Sequence, residues 1–87
     1  MKVSVWDTYV QRKDGKIMHF DILVPSTLND EDKIFQLGNE YLSNKPFETL
    51  TLNSERCNFC HIETASDLIV EDISKKGYSI IEMENCN

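Results

Sequence analysis

A turn dipeptide organises the N-terminal part of the chain. Asp14-Gly15 separates residues 2–10, which alternate as a strand does, from residues 16–24, which are rich in Ile, Met, Phe, Leu and Val. Because both central residues of a tight type I′ turn need positive φ, Asp-Gly between two such segments predicts a β-hairpin. With a two-residue loop, the predicted register pairs Tyr9 with Phe20.

This register assigns a face to every residue of the hairpin, because directly opposed residues share a face. His19 and Asp21 then lie on one face, opposite Val10 and Thr8. The other face is mainly apolar and is the predicted core side, although it includes Asp7. Its apolar members are Val3, Val5, Tyr9, Met18, Phe20, Ile22 and Val24.

Two helices and two further strands are predicted after the hairpin. Residues 29–43 and 65–76 have apolar side chains at helical spacing, with polar caps at their starts. Residues 48–53 alternate as a third strand, residues 54–63 form a loop, and residues 78–83 form a fourth strand. The order ββαβαβ predicts an α+β two-layer sandwich, with a mixed four-stranded sheet and both helices on one face.

Length and charge restrict the class of protein. The 87 residues support a single domain, and nine Lys plus Arg against fifteen Asp plus Glu give a net charge of −6. This charge argues against nucleic acid and membrane surfaces as partners. We find neither a signal peptide nor a phosphate loop nor a nucleophile elbow, so we expect a cytoplasmic, non-enzymatic protein without catalytic residues.

The segment Cys57-Asn58-Phe59-Cys60-His61 contains most of the functional information. Its Cys-x-x-Cys spacing lets two thiolates bind one metal ion. If strands 3 and 4 are parallel, they end at the same rim of the sheet, and Cys86 joins the segment there. A Cys₃His set suits tetrahedral zinc. Our leading hypothesis is therefore a structural zinc site with the ligands Cys57, Cys60, His61 and Cys86.

Other interpretations of these residues remain open. The odd number of three cysteines argues against a secreted disulfide framework, and reduced cysteines are often buried as small apolar groups. Alternatively, Cys57 and Cys60 cycle between dithiol and disulfide while Cys86 resolves mixed species. The segment also fits the haem-attachment pattern, which we rank last because attachment normally requires export.

The polar face of the hairpin suggests two more hypotheses. His19 and Asp21 project from the same side of one strand, and an Asp beside a His can support general-base chemistry, although a solvated polar cluster is the simpler interpretation. Trp6, Ile17 and Leu23 lie on the same predicted face. They suggest an interface for a homodimer or another protein partner, unless loops cover them.

Several segments together resemble a known family. They are Asp7-Thr8-Tyr9-Val10, Met18-His19-Phe20-Asp21, the cysteine segment, Gly77-Tyr78 and the ending Asn85-Cys86-Asn87. They are similar to the motifs of a small bacterial family of unknown function, the DUF2024-like proteins, over nearly the whole chain. The resemblance implies a compact domain with a four-stranded sheet and two helices. It implies no reaction.

Overall fold

The computed structural model describes residues 1–52 and 55–87. It contains four strands in one sheet and two helices, in the order ββαβαβ. This confirms the predicted α+β class and element order. The elements are β1 (Lys2–Gln11), β2 (Ile17–Pro25), α1 (Glu31–Ser43), β3 (Cys57–Thr64), α2 (Asp67–Lys76) and β4 (Ser79–Glu84).

The sheet is antiparallel at every pairing, so the predicted mixed sheet is wrong. Its strand order is β3-β1-β2-β4, which places β3 and β4 at opposite edges. The mixed sheet depended on a strand over residues 48–53, where the structure has an isolated bridge between Arg12 and Thr49. Residues 53 and 54 lie outside the described residues. The strand that enters the sheet is instead β3, most of which was predicted to be loop.

The hairpin loop contains three residues instead of two. The Gly15 N–H donates to the Arg12 carbonyl at 3.0 Å, and the Arg12 N–H donates to the Lys16 carbonyl at 2.8 Å. Gly15 has φ +95°, which suits the last residue of a three-residue loop. The extra loop residue shifts the register by one position, so that Tyr9 pairs with His19 and not with Phe20.

A one-residue shift moves every side chain of one strand to the other face relative to its partner. Asp7, the polar exception on the predicted apolar face, consequently lies beside other polar residues. One face of the hairpin carries Trp6, Thr8, Val10, Met18, Phe20, Ile22 and Val24. The other carries Val3, Val5, Asp7, Tyr9, Ile17, His19, Asp21 and Leu23.

The helices pack against opposite faces of the sheet, whereas the sequence predicted one shared face. Ile34 of α1 is buried in the cluster that contains Ile22. Ile73 of α2 is buried in a second cluster with Val5 and Leu23. Because consecutive strand residues point to opposite faces, Ile22 and Leu23 belong to different layers. The short α2 covers only one end of its face and leaves the rest of that face open.

The predicted apolar docking patch does not exist as one surface. Trp6 lies on the α1 face and is buried, and Leu23 is buried in the cluster beneath α2. Ile17 stays exposed on the open face. The homodimer hypothesis therefore loses two of its three residues.

Helix ends agree with the capping signals in the sequence. Asp30 accepts a hydrogen bond from the Asp32 N–H and begins α1, and Ser66 accepts one from the Ile69 N–H and begins α2. Gly77 ends α2 in the left-handed conformation, with φ +88°. Neither helix has the length and apolar character needed to cross a membrane, and the search covered the described residues.

Replacing Gly15 with Ala tests the hairpin turn. Nothing lies within 4 Å of a Cβ at this position, so the cost comes only from the positive φ. We expect a loss of about 1–2 kcal/mol in the free energy of unfolding. Lys16→Ala, one residue along the chain, is the control and should change it by less than about 0.5 kcal/mol. Equal urea-denaturation midpoints for the two variants would contradict the turn assignment.

Candidate functional site

Three ionisable side chains converge on the open face of the sheet. Asp7 of β1 lies opposite Asp21 of β2, while His19 of β2 lies two residues away on the same face. One potential ligand atom from each residue lies within 4.8 Å of those of the other two. We call Asp7, His19 and Asp21 the carboxylate–histidine cluster. It exists because of the three-residue turn, which brings Asp7 to this face.

His19 is held in one orientation. Its Nε2–H donates to Oδ1 of Asp7 at 2.6 Å. The Tyr9 ring stacks on the imidazole with 4.2 Å between centroids and 8° between planes. The His19 side chain is only 18% exposed. The imidazole therefore directs Nε2 toward the carboxylates.

Asp21 is the most buried acid of the cluster, with 9% of the residue exposed. Burial raises the pKa of Asp21, and the negative charge and hydrogen bond of Asp7 raise it further. The positive charges of His19 and His61 act in the opposite direction. Asp21 thus faces a second carboxyl group, that of Asp7, which disfavours its charged form. A cation bound between them would remove their mutual repulsion.

The geometry of the cluster suits a metal ion. Ligand atoms about 2.0–2.1 Å from a tetrahedral zinc lie roughly 3.3 Å apart. The His19–Asp7 separation is 2.6 Å and no pair in the cluster is more than 4.8 Å apart, so small side-chain movements suffice. The net charge of −6 adds a long-range attraction for cations.

The structure does not assemble the zinc ligands that the sequence predicted. Cys57, Cys60 and His61 belong to β3, whereas Cys86 follows β4 at the opposite edge of the sheet. Three strand spacings separate these edges, which is roughly 14 Å. The prediction required parallel strands ending at one rim, and the antiparallel pairing removes that rim. Among the described residues, the metal-compatible group contains no cysteine.

Two of the thiols belong to the core. Cys57 is buried and accepts a hydrogen bond from Thr8 Oγ1 at 3.3 Å. Burial raises the pKa of the Cys57 thiol, which keeps it protonated and weakly nucleophilic. Cys86 is also buried, and its thiol donates to the carbonyl of His19. Cys60 is exposed, with Sγ 3.2 Å from Nδ1 of His61.

Sequence reasoning identified half of the site. It placed His19 and Asp21 together on an open face, but it missed Asp7 and Tyr9 because the turn was counted with two residues. One signal pointed to the error, namely the isolated Asp7 on an otherwise apolar face. Counting three loop residues moves Asp7 opposite Asp21 and removes this exception.

The fold and the site together define a small α+β domain that holds a histidine beside two carboxyl groups on an open sheet face. The chain belongs to the family described as "Domain of unknown function (DUF2024)", whose profile matches residues 1–83. It is similar to protein NE1680 from Nitrosomonas europaea, whose NMR structure matches with a TM-score of 0.85 and 42% sequence identity, covering 100% of both chains. No curated protein matches the chain. The family match confirms the resemblance seen in the sequence.

Proposed function

We propose that this protein binds a divalent first-row transition-metal cation through Asp7, His19 and Asp21. The observation that carries the proposal is the convergence of the three ligand atoms within 4.8 Å of one another. Imidazole nitrogen and carboxylate oxygen are both ordinary zinc ligands. We therefore move the predicted zinc site from the cysteines to this cluster, and we retain the expectation of a cytoplasmic, non-enzymatic protein.

Each residue of the cluster has a distinct role in the proposal. His19 supplies a nitrogen ligand, which favours transition metals over Mg²⁺ and Ca²⁺. Asp7 exchanges its hydrogen bond with His19 for a bond to the cation. Asp21 supplies the second negative charge from a largely buried position. The imidazole must be neutral and the carboxyl groups ionised to bind the cation, so binding should release protons into solution.

A second interpretation is general-base chemistry by the His19–Asp7 pair. The position of Asp21 favours the metal, because a general base needs one orienting carboxylate and the cluster holds two. In addition, Tyr9 covers one side of the imidazole ring. Two carboxylates that face each other repel in the absence of a cation, whereas together they attract a cation more strongly than one carboxylate does.

Calorimetric titration of the full chain with Zn²⁺ tests the proposal. We expect one Zn²⁺ per chain and much weaker binding of Mg²⁺. His19→Gln keeps a polar side chain beside Asp7 but removes the imidazole ligand, and it should lower Zn²⁺ affinity by at least about 100-fold. Cys60→Ser removes the exposed thiol and should leave the affinity unchanged. The proposal is wrong if the wild type does not bind Zn²⁺, or if His19→Gln binds it as tightly.

A further inference from the structure

The edge strand β3 contains a bulge next to the cluster. Val5 pairs with His61 and Trp6 pairs with Phe59, so Cys60 is an extra residue between the two pairs. In a regular ladder continuing from Trp6, Cys60 would lie opposite Val5, and His61 would point to the other face of the sheet. The bulge therefore puts the imidazole of His61 on the face that carries the cluster, which is a known use of bulges near functional sites.

His61 is a near neighbour of the cluster on that face. Val5 lies two residues before Asp7 on β1, so His61 and Asp7 are diagonal neighbours across the two strands. Diagonal neighbours lie about 7–8 Å apart, within reach of long side chains. The proximity already has an electrostatic effect, because the charge of His61 acts to lower the pKa of Asp21.

The present contacts of His61 are weak enough to exchange. Its side chain is 52% exposed, and Nε2 lies 3.7 Å from Oε1 of Glu63. An exposed pair of this kind contributes at most about 1 kcal/mol. The other ring nitrogen lies near the Cys60 thiol, which is also exposed. Rotation of the imidazole away from these partners therefore costs little.

Building on the proposed metal site, we propose that His61 turns away from Glu63 and completes the coordination of the cation as its fourth ligand. The resulting set has two imidazole nitrogens and two carboxylate oxygens, which suits tetrahedral zinc. A second nitrogen ligand also increases the preference for zinc over Mg²⁺ and Ca²⁺. In this proposal the bulge in β3 determines which metals the site accepts.

Glu84 provides a matched comparison at the other edge of the sheet. A second bulge, at Met83, places Glu84 opposite His19 and on the same face as the cluster. Among the described residues, the group with converging ligand atoms includes neither Glu84 nor His61, so either residue would have to turn toward it. We assign the fourth position to the β3 edge because a neutral imidazole adds no negative charge to the two carboxylates, whereas Glu84 would add a third.

Calorimetric titration with Zn²⁺ should be repeated on variants of residues in the two edge strands, β3 and β4. We expect His61→Gln to lower Zn²⁺ affinity about 10- to 100-fold and to reduce the ratio of Zn²⁺ to Mg²⁺ affinity. Glu84→Gln and Glu63→Gln are the controls and should stay within about threefold of the wild type. Long-range ¹H–¹⁵N NMR of the wild-type imidazoles gives an independent readout. Zn²⁺ should shift one ring nitrogen of His61 as well as one of His19.

The outcomes separate this proposal from the metal site itself. If the wild type and His61→Gln bind Zn²⁺ equally and the His61 nitrogens do not shift, the fourth-ligand proposal is overturned while the three-residue site stands. A loss of affinity in Glu84→Gln but not in His61→Gln also overturns it, because the fourth ligand then comes from β4. If the wild type binds no Zn²⁺, the proposed function fails and this proposal fails with it.

Discussion

Saturating Zn²⁺ is expected to raise the unfolding temperature of this protein by roughly 10–20 °C. A ligand that binds only the folded chain stabilises it by about 2.7 kcal/mol at a concentration 100 times its Kd. In a domain of this size, each kcal/mol raises the unfolding temperature by about 4–8 °C. Thermal denaturation followed by circular dichroism, with Zn²⁺ and with Mg²⁺, measures the effect. Mg²⁺ at the same concentration should give a much smaller increase.

Asp21→Asn should change the stability in opposite directions with and without the metal. Without metal, the variant removes one of two acids that lie directly opposite each other, Asp7 and Asp21. Such like-charge pairs are destabilising by roughly 0.2–1 kcal/mol, so the variant should be more stable than the wild type at pH 7. With Zn²⁺, the variant lacks a ligand and should lose most of the increase in unfolding temperature.

Without metal, the stability difference between Asp21→Asn and the wild type should depend on pH, because the pKa of Asp21 is raised in the folded chain. An acid whose folded pKa is raised contributes stability that is fully present below its unfolded value, here 3.8, and is lost as the pH rises through the folded pKa. The advantage of Asp21→Asn should therefore be absent at low pH and grow toward neutrality. Urea denaturation of both proteins across this range is the measurement. An advantage that is the same at pH 3.5 and pH 7 would contradict the assignment.

Arg12→Met is expected to lower the free energy of unfolding by about 2–3 kcal/mol. Arg12 is only 7% exposed. Its guanidinium carbon lies 3.6 Å from the centroid of the Phe47 ring, and the guanidinium pairs with Asp14. It also donates to the main-chain oxygens of Asn85 and Asn87, at 3.2 and 2.8 Å. Hydrogen bonds of a charged group contribute about 1.5–3 kcal/mol, and Met replaces only the packing volume.

Thiol labelling identifies which part of the structure Arg12 holds. Because Arg12 anchors the residues on either side of Cys86, the variant should expose this thiol, which is 4% exposed in the wild type. Cys57 is buried elsewhere in the same core and is the internal control. Arg12→Lys keeps the charge but not the planar set of donors, and it should be intermediate. Equal acceleration of labelling at Cys57 and Cys86 would indicate global unfolding and contradict local anchoring.

Most elements could be predicted because their signals are local. The apolar spacing of the helices, the caps at Ser66 and Gly77 and the alternation of three strands gave boundaries within two residues of those observed. The edge strand β3 could not be found in this way. Seven of its eight residues are exposed, so it lacks the apolar alternation by which strands are recognised. Its bulge at Cys60 disturbs the period further.

The candidate site was harder to predict because it depends on pairings between strands. His19 and Asp21 share a strand and could be grouped from their spacing alone. Asp7 joins them only in the correct register, which one extra residue in the turn decides. Likewise, the expectation that Cys86 meets Cys57 depended on strand direction. The direction in which distant strands pair is not encoded in a single segment of the chain, and the turn length is recognised only when both strands of the hairpin are aligned.

The bulges also affect how readily the two edges of the sheet can pair with strands of other molecules. A sheet with two free edges can grow by adding strands from other molecules, and long regular edges are the best templates for such growth. In β3, the bulge leaves residues 57–59 and 61–64 as separate short stretches, and β4 is interrupted at Met83. An incoming strand would meet only three or four regular residues at a time. The irregularities that place His61 and Glu84 beside the cluster thus also make both edges poor seeds for aggregation.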